Sequence, residues 1–298
     1  MAYSRTSRTR KRSRFTRRKS TYRKKGARRS VRRTARRPMS KKRILNITSV
    51  KKRDARLSYT NVTATNPVGG TTFGNGSAVL LGNNSYEFLW VASAMDLGNG
   101  ATPNPVSDNS LRSATSCYIV GLSEKVRVQT NSSIHWSWRR IVFTNKGPGL
   151  INAQTSTKPL ANFESGEGWV RSVSNWVNDP IIRTVVFRGQ QSSDWDDTLT
   201  AKVDTNNVTV LLDRTMQIQS GNDSGVNMVK PFWIPVRKNL VYGDDESGTG
   251  MATSPYSNTG KAGCGDVYVY DIIKPILGST TTDSMTWNPA ATLYWHEK

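Results

Sequence analysis

The chain of 298 residues contains only two cysteines, and its first 43 residues contain neither aspartate nor glutamate. Cys117 and Cys264 lie far apart with no second metal ligand near either, which argues against a disulfide framework or a cysteine-based zinc site. We expect two buried free thiols in a reducing compartment. No apolar run approaches the roughly 20 residues that a membrane helix needs, and the N-terminus is too basic for a secretory signal.

Recognisable catalytic motifs are missing as well. The two histidines, His135 and His296, form no His-x-His pair. Lys261 follows a glycine but precedes alanine, and Pro255 stands where a phosphate-binding loop requires glycine. The sequence also lacks a G-x-S-x-G elbow and a zinc-deaminase pattern. We therefore expect a protein that is not an enzyme and that has no cofactor.

Acidic residues cluster at two places, both among turn-forming residues, so solvated loops are the first interpretation. The alternative is a divalent-cation site, for example for calcium, at a subunit contact, because hard cations prefer clustered carboxylates. The two clusters are Asp194, Asp196 and Asp197, and Asp244, Asp245 and Glu246.

Positive charge is concentrated at the N-terminus. Residues 1–43 contain 21 lysines and arginines, and residues 1–56 carry a net charge of +24, whereas the rest of the chain carries −2. Such a composition predicts an arm that is disordered when alone. Guanidinium groups pair with phosphates in a bidentate manner, and binding through phosphates is independent of sequence. The predicted nucleic-acid-binding residues of the arm and its extension are Arg5, Arg8, Arg10, Lys11, Arg12, Arg14, Arg17, Arg18, Lys19, Arg23, Lys24, Lys25, Arg28, Arg29, Arg32, Arg33, Arg36, Arg37, Lys41, Lys42, Arg43, Lys51, Lys52 and Arg53.

Two stretches of the arm, RKKGARR and SKKR, have the composition of nuclear-import signals. They predict the nuclear-import machinery as a partner of the protein. The basic residues concerned are Arg23, Lys24, Lys25, Arg28, Arg29, Lys41, Lys42 and Arg43.

Residues 44–298 form the predicted folded domain, in which strand signals dominate. The segments SYEFLWVA, SEKVRVQT, VTVLLDRTMQI, DVYVYDII and TLYWHEK all read as strands. In SEKVRVQT, Val126 and Val128 share one face while Lys125 and Arg127 share the other; DVYVYDII is apolar on both faces, as in a strand buried on both sides. Helical periodicity is limited to short candidates at residues 169–176 and 195–201. The pattern predicts an all-β sandwich or jelly roll with long loops.

The segment IHWSWRRIVFT places Trp136 and Trp138 on one face and Arg139 on the other. After Arg140 the apolar parity switches, which predicts a bulge or a sheet crossover. One interpretation is a pair of core tryptophans beside two surface arginines. The other is a patch on an inner surface, in which Trp136, Trp138, Arg139 and Arg140 stack on bases and pair with phosphates.

Several motifs, taken in order, resemble the capsid proteins of genomoviruses, which are small viruses with circular single-stranded DNA related to geminiviruses. They are RRPMSKKRILNITS followed by KKRD, the central SWRRIVFT, DDESG, and the terminal TLYWHEK. The resemblance implies an eight-stranded antiparallel jelly roll and a homo-oligomeric icosahedral shell of about sixty copies. It also implies packaging of circular single-stranded DNA and entry into the host nucleus.

Two other classes are compatible with a basic arm. One is a cellular, sequence-independent nucleic-acid-binding protein, such as a ribosomal or chromatin component, although those folded domains are usually smaller or more basic. The other is an enzyme with a basic tail, which the missing motifs argue against. If the chain assembles, residues 69–76, 98–108 and 243–255 are the loops that we expect to form contacts and outer surface.

Overall fold

The computed structural model describes residues 39–99, 102–161, 168–248 and 250–298, most of them in antiparallel strands. The predicted β-rich fold class is thereby confirmed. Residues 1–38 of the predicted arm lie outside the described residues, whereas residues 41–43 begin a helix, so the folded part starts before residue 44. The helices are α1 (Lys41–Thr48), α2 (Gly149–Asn152) and α3 (Pro180–Val186). The strands are β1 (Val50–Arg56), β2 (Ser58–Thr60), β3 (Gly74–Asn75), β4 (Ala78–Leu81), β5 (Tyr86–Val91), β6 (Gly98–Asn99), β7 (Thr102–Pro103), β8 (Ser116–Thr130), β9 (Trp136–Asn145), β10 (Arg171–Val173), β11 (Thr209–Ile218), β12 (Asn227–Val241), β13 (Asp245–Ser247), β14 (Gly250–Ala252), β15 (Asp266–Pro275) and β16 (Ser284–Glu297).

One sheet, which we call the open sheet, has the strand order β1-β16-β8-β12, with β4 also pairing with β16. Its residues alternate between the core and solvent. Val126 and Val128 are buried and Lys125 and Arg127 are exposed, as predicted from the sequence. One face of this sheet therefore packs on the core and the other faces solvent.

The second sheet, which we call the covered sheet, has the order β11-β9-β15-β5. All residues of β5 and those of β15 from Asp266 to Ile273 are buried, so the prediction that DVYVYDII is buried on both sides is confirmed. The described residues between β9 and β11 cover the outer side of this sheet: the Phe187 ring lies 6.3 Å from Tyr270, and Leu150 and Ile182 join the same core. The two sheets thus differ in how many faces meet solvent.

Eight of the strands pair in a nested order. Numbered along the chain as β1, β5, β8, β9, β11, β12, β15 and β16, the first pairs with the eighth, the second with the seventh, the third with the sixth and the fourth with the fifth. All four pairings are antiparallel. A small third sheet, β10-β2-β3, lies beside them and contains a parallel pairing between β10 and β2.

Both short helices predicted from the sequence are wrong. Residues 169–176 contain the strand β10, which pairs with β2, and residues 195–201 form turns in which the Asp197 side chain accepts the backbone N–H of Leu199. The helix α3 was not predicted, although Asp179 caps its first turn and Pro180 begins it, which is a typical helix start. Within the described residues no helix is long and apolar enough to span a membrane.

Asp266, at the start of β15, anchors two loops. Its carboxylate accepts hydrogen bonds from the backbone N–H and the hydroxyl of Ser257 and from the hydroxyl of Ser93. Burial raises the pKa of Asp266 to about 6, although these hydrogen bonds partly oppose the increase. Because the folded-state pKa exceeds that of an unfolded aspartate, the group favours folding at low pH and loses that contribution as the pH rises through 6.

We expect this group to lower the free energy of unfolding by about 3 kcal/mol between about pH 4 and about pH 7. Urea unfolding at several pH values measures the free energy of unfolding of the parent chain and of Asp266→Asn. The difference between the two at each pH isolates the contribution of Asp266 from all other titrating groups. Asp245→Asn, which removes one carboxylate from an exposed position, is the matched control. Superimposable profiles for the parent and Asp266→Asn would contradict the prediction.

Candidate nucleic-acid interface

The strand β1 carries the last three predicted phosphate-binding residues, but it turns them to different sides. Lys51 and Arg53 are exposed on the outward face of the open sheet, whereas Lys52 is buried. The Lys52 ammonium lies 3.1 Å from the Glu297 carboxylate and donates to Ser113 and to the carbonyl of Leu111. Lys52 is therefore a core residue, and its prediction as a nucleic-acid contact is wrong.

The partner of Lys52 is adapted to the ion pair. Burial would raise the pKa of the Glu297 carboxyl, but hydrogen bonds from Ser113, Trp295 and Lys52 lower it below its ordinary value. The same carboxylate lies beside the buried Cys117, and burial raises the pKa of that thiol. Cys117 is thus an inert free thiol, as predicted, while the free thiol of Cys264 is only half-buried.

The helix α1 connects the arm to β1. The Ser40 side chain accepts the backbone N–H of Arg43 and caps the helix. A groove of about 1230 Å³ separates α1 from the open sheet; Arg43 and Leu45 line one side, and Tyr118 and His296 of the sheet line the other. Residues 41–43 therefore lie at one end of the outward face of the open sheet, where Lys51 and Arg53 are also found.

The tryptophans of the central motif are buried in the core. Trp138 faces the space between the two sheets, where its ring makes edge contacts with Phe232 and Trp287 and its indole N–H donates to Asp271 at 2.8 Å. Trp136 is fully buried on the same face of β9. A base cannot stack on either ring in the folded protein, so the predicted stacking role of both residues is wrong.

Arg139 lies on the opposite face of β9 from Trp138, beneath the segment that packs on the outer side of the covered sheet. Its guanidinium forms a bidentate pair with Asp213 at 2.7 and 2.9 Å and donates to the carbonyls of Thr198 and Ala201. The arginine therefore ties the covering segment to β9. Neither interpretation from the sequence was right for it, because it is neither a surface residue nor a free phosphate ligand.

Arg140 belongs to a buried cluster of four charges, which we call the ion quartet: Arg140, Arg171, Glu124 and Asp271. Each arginine contacts both carboxylates. Arg140 lies 2.6 Å from Asp271 and 2.5 Å from Glu124, and Arg171 lies 2.8 Å from Asp271 and 2.9 Å from Glu124. All four side chains are fully buried.

The ion quartet keeps its charges in the core because they are mutually paired. Burial would lower the pKa of Arg140, but the carboxylates of Asp271 and Glu124 raise it above its ordinary value. The Arg140 guanidinium also lies over the Phe232 ring, 4.4 Å from its centroid. Because the Arg140 guanidinium is fully buried against these carboxylates, a phosphate cannot reach it in the folded protein, and its predicted role in nucleic-acid binding is wrong.

The predicted irregularity near Arg140 lies in the neighbouring strand. The register between β9 and β15 is continuous, whereas the pairing between β9 and β11 shifts at Val210 and Leu212. The switch in apolar parity along β9 has another cause: the strand is buried on both faces, and Arg140 occupies an inward position that an apolar residue would usually take.

The acidic side chains of each sequence cluster have separate partners and do not converge on one point. Asp244 forms a buried bidentate pair with Arg112, whereas Asp245 and Glu246 are exposed on β13. In the other cluster, Asp194 accepts the backbone N–H of Gln190 and Asp197 pairs with Lys274. Within the described part of the chain, no three histidine, cysteine or acidic side chains converge in a way that could hold a metal ion.

Comparison with known proteins adds no assignment. No protein-family model matches the chain, and no curated protein is detectably similar to it in sequence.

The sequence did contain a signal for the ion quartet, because Asp271 interrupts an apolar strand and a buried carboxylate requires a partner. Nothing local indicated that Arg171, on a different sheet, would supply one.

We expect Arg140→Ala to destabilise the chain by about 3–5 kcal/mol, because it leaves Glu124 and Asp271 partly unpaired in the core. Arg214→Ala is the matched control: Arg214 lies opposite Arg140 in the strand register but is exposed, so its loss should change stability by no more than about 0.5 kcal/mol. Urea unfolding followed by tryptophan fluorescence measures both. An Arg140→Ala chain with parental stability but reduced binding of DNA would restore the nucleic-acid role.

Proposed function

We propose that this chain is a structural capsid protein that assembles into a small icosahedral shell and packages circular single-stranded DNA through its basic arm. Residues 1–43 contact the DNA and carry the nuclear-import signals, and the folded part, which begins with α1 at Lys41, forms the shell. The virus is of the genomovirus kind, as the sequence motifs suggest. The protein acts in the virion and in the host nucleus, and it is not an enzyme.

The observation that carries the proposal is the nested pairing of eight strands behind an arm without acidic residues. First-with-last pairing folds a long hairpin into two packed sheets, which is the arrangement of a jelly roll. Eight-stranded jelly rolls are common in viral capsids, although lectins and cupins use them too. Among these classes of protein, the arm favours a capsid protein, because 21 lysines and arginines without an acidic residue in residues 1–43 suit the neutralisation of a packaged nucleic acid.

The loops expected to form contacts support assembly. Val106 and Met251 lie in two of these loops, and both are large apolar side chains that are more than half exposed. The hairpin of β13 and β14 lies in the loop that contains Met251. Exposed apolar residues on several separate loops fit a subunit that contacts several neighbours, as the closed symmetry of a shell requires.

We expect the purified full-length chain to sediment as a particle of about 2 MDa, since about sixty copies of a 33.1 kDa chain have that mass. Analytical ultracentrifugation with and without added single-stranded DNA measures this. A cellular nucleic-acid-binding protein, the alternative class, would sediment as a monomer or small oligomer. A chain that stays monomeric across pH, salt and added DNA would contradict the capsid proposal.

Deletion of residues 1–38 tests the role of the arm. It removes 18 lysines and arginines but leaves Ser40 to cap α1, so the body should still fold. We expect truncated particles to be largely empty, because too few cations remain inside to neutralise a packaged strand. The ratio of absorbance at 260 and 280 nm, compared with that of full-length particles, measures the load. An equal nucleic-acid load would show that the arm is not the packaging element.

A further inference from the structure

The outward face of the open sheet has an unusual charge distribution. Among the outward-facing residues of β1, β8, β12 and β16, all of which the structure describes, none is acidic. The acidic residues of these strands, Asp54, Glu124 and Glu297, point inward and pair with buried cations. The exposed basic residues on the outward side include Lys51, Arg53, Lys125 and Arg127. The face is therefore cationic although the chain after residue 56 has a net charge of −2.

An aromatic pair lies between the two basic pairs. Trp233 on β12 is 53% exposed, and its ring lies 5.7 Å from that of Tyr294 on β16 at an angle of 64°. Gly121 lies beneath them: a Cβ at this position would approach the Trp233 ring to 3.0 Å and the Ile234 carbonyl oxygen to 2.7 Å. The glycine lets the indole lie across β8 toward Tyr294, so a large aromatic surface stays in solvent.

The strand register places these side chains along a diagonal of the sheet. Lys51 pairs with His296 and Arg53 with Tyr294 at one end, while Lys125 is opposite Ala290 and Arg127 is opposite Asn288 at the other. Eight residues of β16 separate the two ends, which corresponds to about 27 Å at the rise of an antiparallel strand. Single-strand-binding folds that cover about four or more nucleotides combine a cationic path with aromatic platforms in this way.

We propose that this outward face is a second nucleic-acid-binding surface, which holds a single strand by phosphate contacts to Lys51, Arg53, Lys125 and Arg127 and by stacking of bases on Trp233 and Tyr294. The inference rests on the proposed packaging function and adds to it a folded site that orients the strand. The arm joins the body at the Lys51 end of the face, since α1 and Tyr118 line the same groove. A strand that leaves the face at this end meets the arm directly.

The first test uses the unaltered full-length chain. Ultraviolet cross-linking to a single-stranded oligothymidylate, followed by mass spectrometry, should give cross-links at Trp233 or Tyr294 in addition to those in the arm. Cross-links confined to the arm would overturn the inference, and the proposed packaging function would stand. A chain that does not bind the oligothymidylate at all would instead contradict the proposed function.

The second test compares two double variants of the full-length chain. The double variant Lys125→Ala, Arg127→Ala should reduce the magnitude of the slope of log K for oligothymidylate binding against log salt concentration by about 1.4, because two phosphate contacts are lost. Arg188→Ala with Lys202→Ala is the matched control: it removes the same charge from exposed positions in the segment over the covered sheet and should leave the slope unchanged. Equal slopes for the two variants would overturn the inference.

Trp233→Ala separates stacking from subunit contact. Measured at high salt, where the phosphate contacts of the arm are weakened, the variant should bind oligothymidylate roughly tenfold more weakly than the parent and still sediment as the parent does. If the variant assembles abnormally but binds the oligonucleotide as the parent does, the face is a contact between copies of the chain and the inference is wrong. Trp233 is exposed, so the substitution should leave the core intact.

Discussion

The ion quartet is the contact on which the rest of the structure depends, because it is where three sheets meet. Glu124 comes from the open sheet, Arg140 and Asp271 from the covered sheet, and Arg171 from the small third sheet. Removing any one member would leave a buried charge without its full set of partners, which costs more than the pair contributes. Such a cluster allows only one alignment of the sheets. A slip of one residue in β8 would turn Glu124 to solvent and leave both buried arginines with Asp271 as their one carboxylate partner in the quartet.

The difference between the two sheets follows from what covers them. Described residues between β9 and β11 lie on the covered sheet and are tied to it by Arg139, so β9 and most of β15 are buried on both faces, whereas the edge strand β11 stays largely exposed. On the open sheet, alternation sends every acidic side chain inward, where it neutralises a buried base, and leaves the outward bases without a local counter-charge. The same pairs that stabilise the core thus produce the positive potential outside.

The sequence predicted those features that depend on neighbouring residues. Alternation in β8, the two-sided burial of β15 and the segregation of charge are all local patterns, and the structure agrees with the first two. Features that depend on distant partners were missed. From the sequence, Arg140 was interpreted as a surface or phosphate-binding residue, and only its pairing with Glu124 and Asp271 on other strands makes it a core residue. For Trp136 and Trp138, the interpretation as core tryptophans is confirmed. Trp233 was missed for the opposite reason, since a tryptophan in a strand usually points inward, and here Gly121 gives it room to lie outside.

The edge of the open sheet bears on how copies of this chain can join. A free strand edge is a template for the addition of further strands and hence for fibrous aggregates. The edge strand β12 carries Pro231 and Pro235, which have no N–H to offer, and the register breaks directly after Pro235, where Arg237 has a φ of 52°. The opposite edge is divided between the short strands β1 and β4. Continuous growth of the sheet from one molecule to the next is therefore disfavoured at both sides, so the assembly proposed above would rely on contacts between loops and faces, whose angles allow a shell to curve and close.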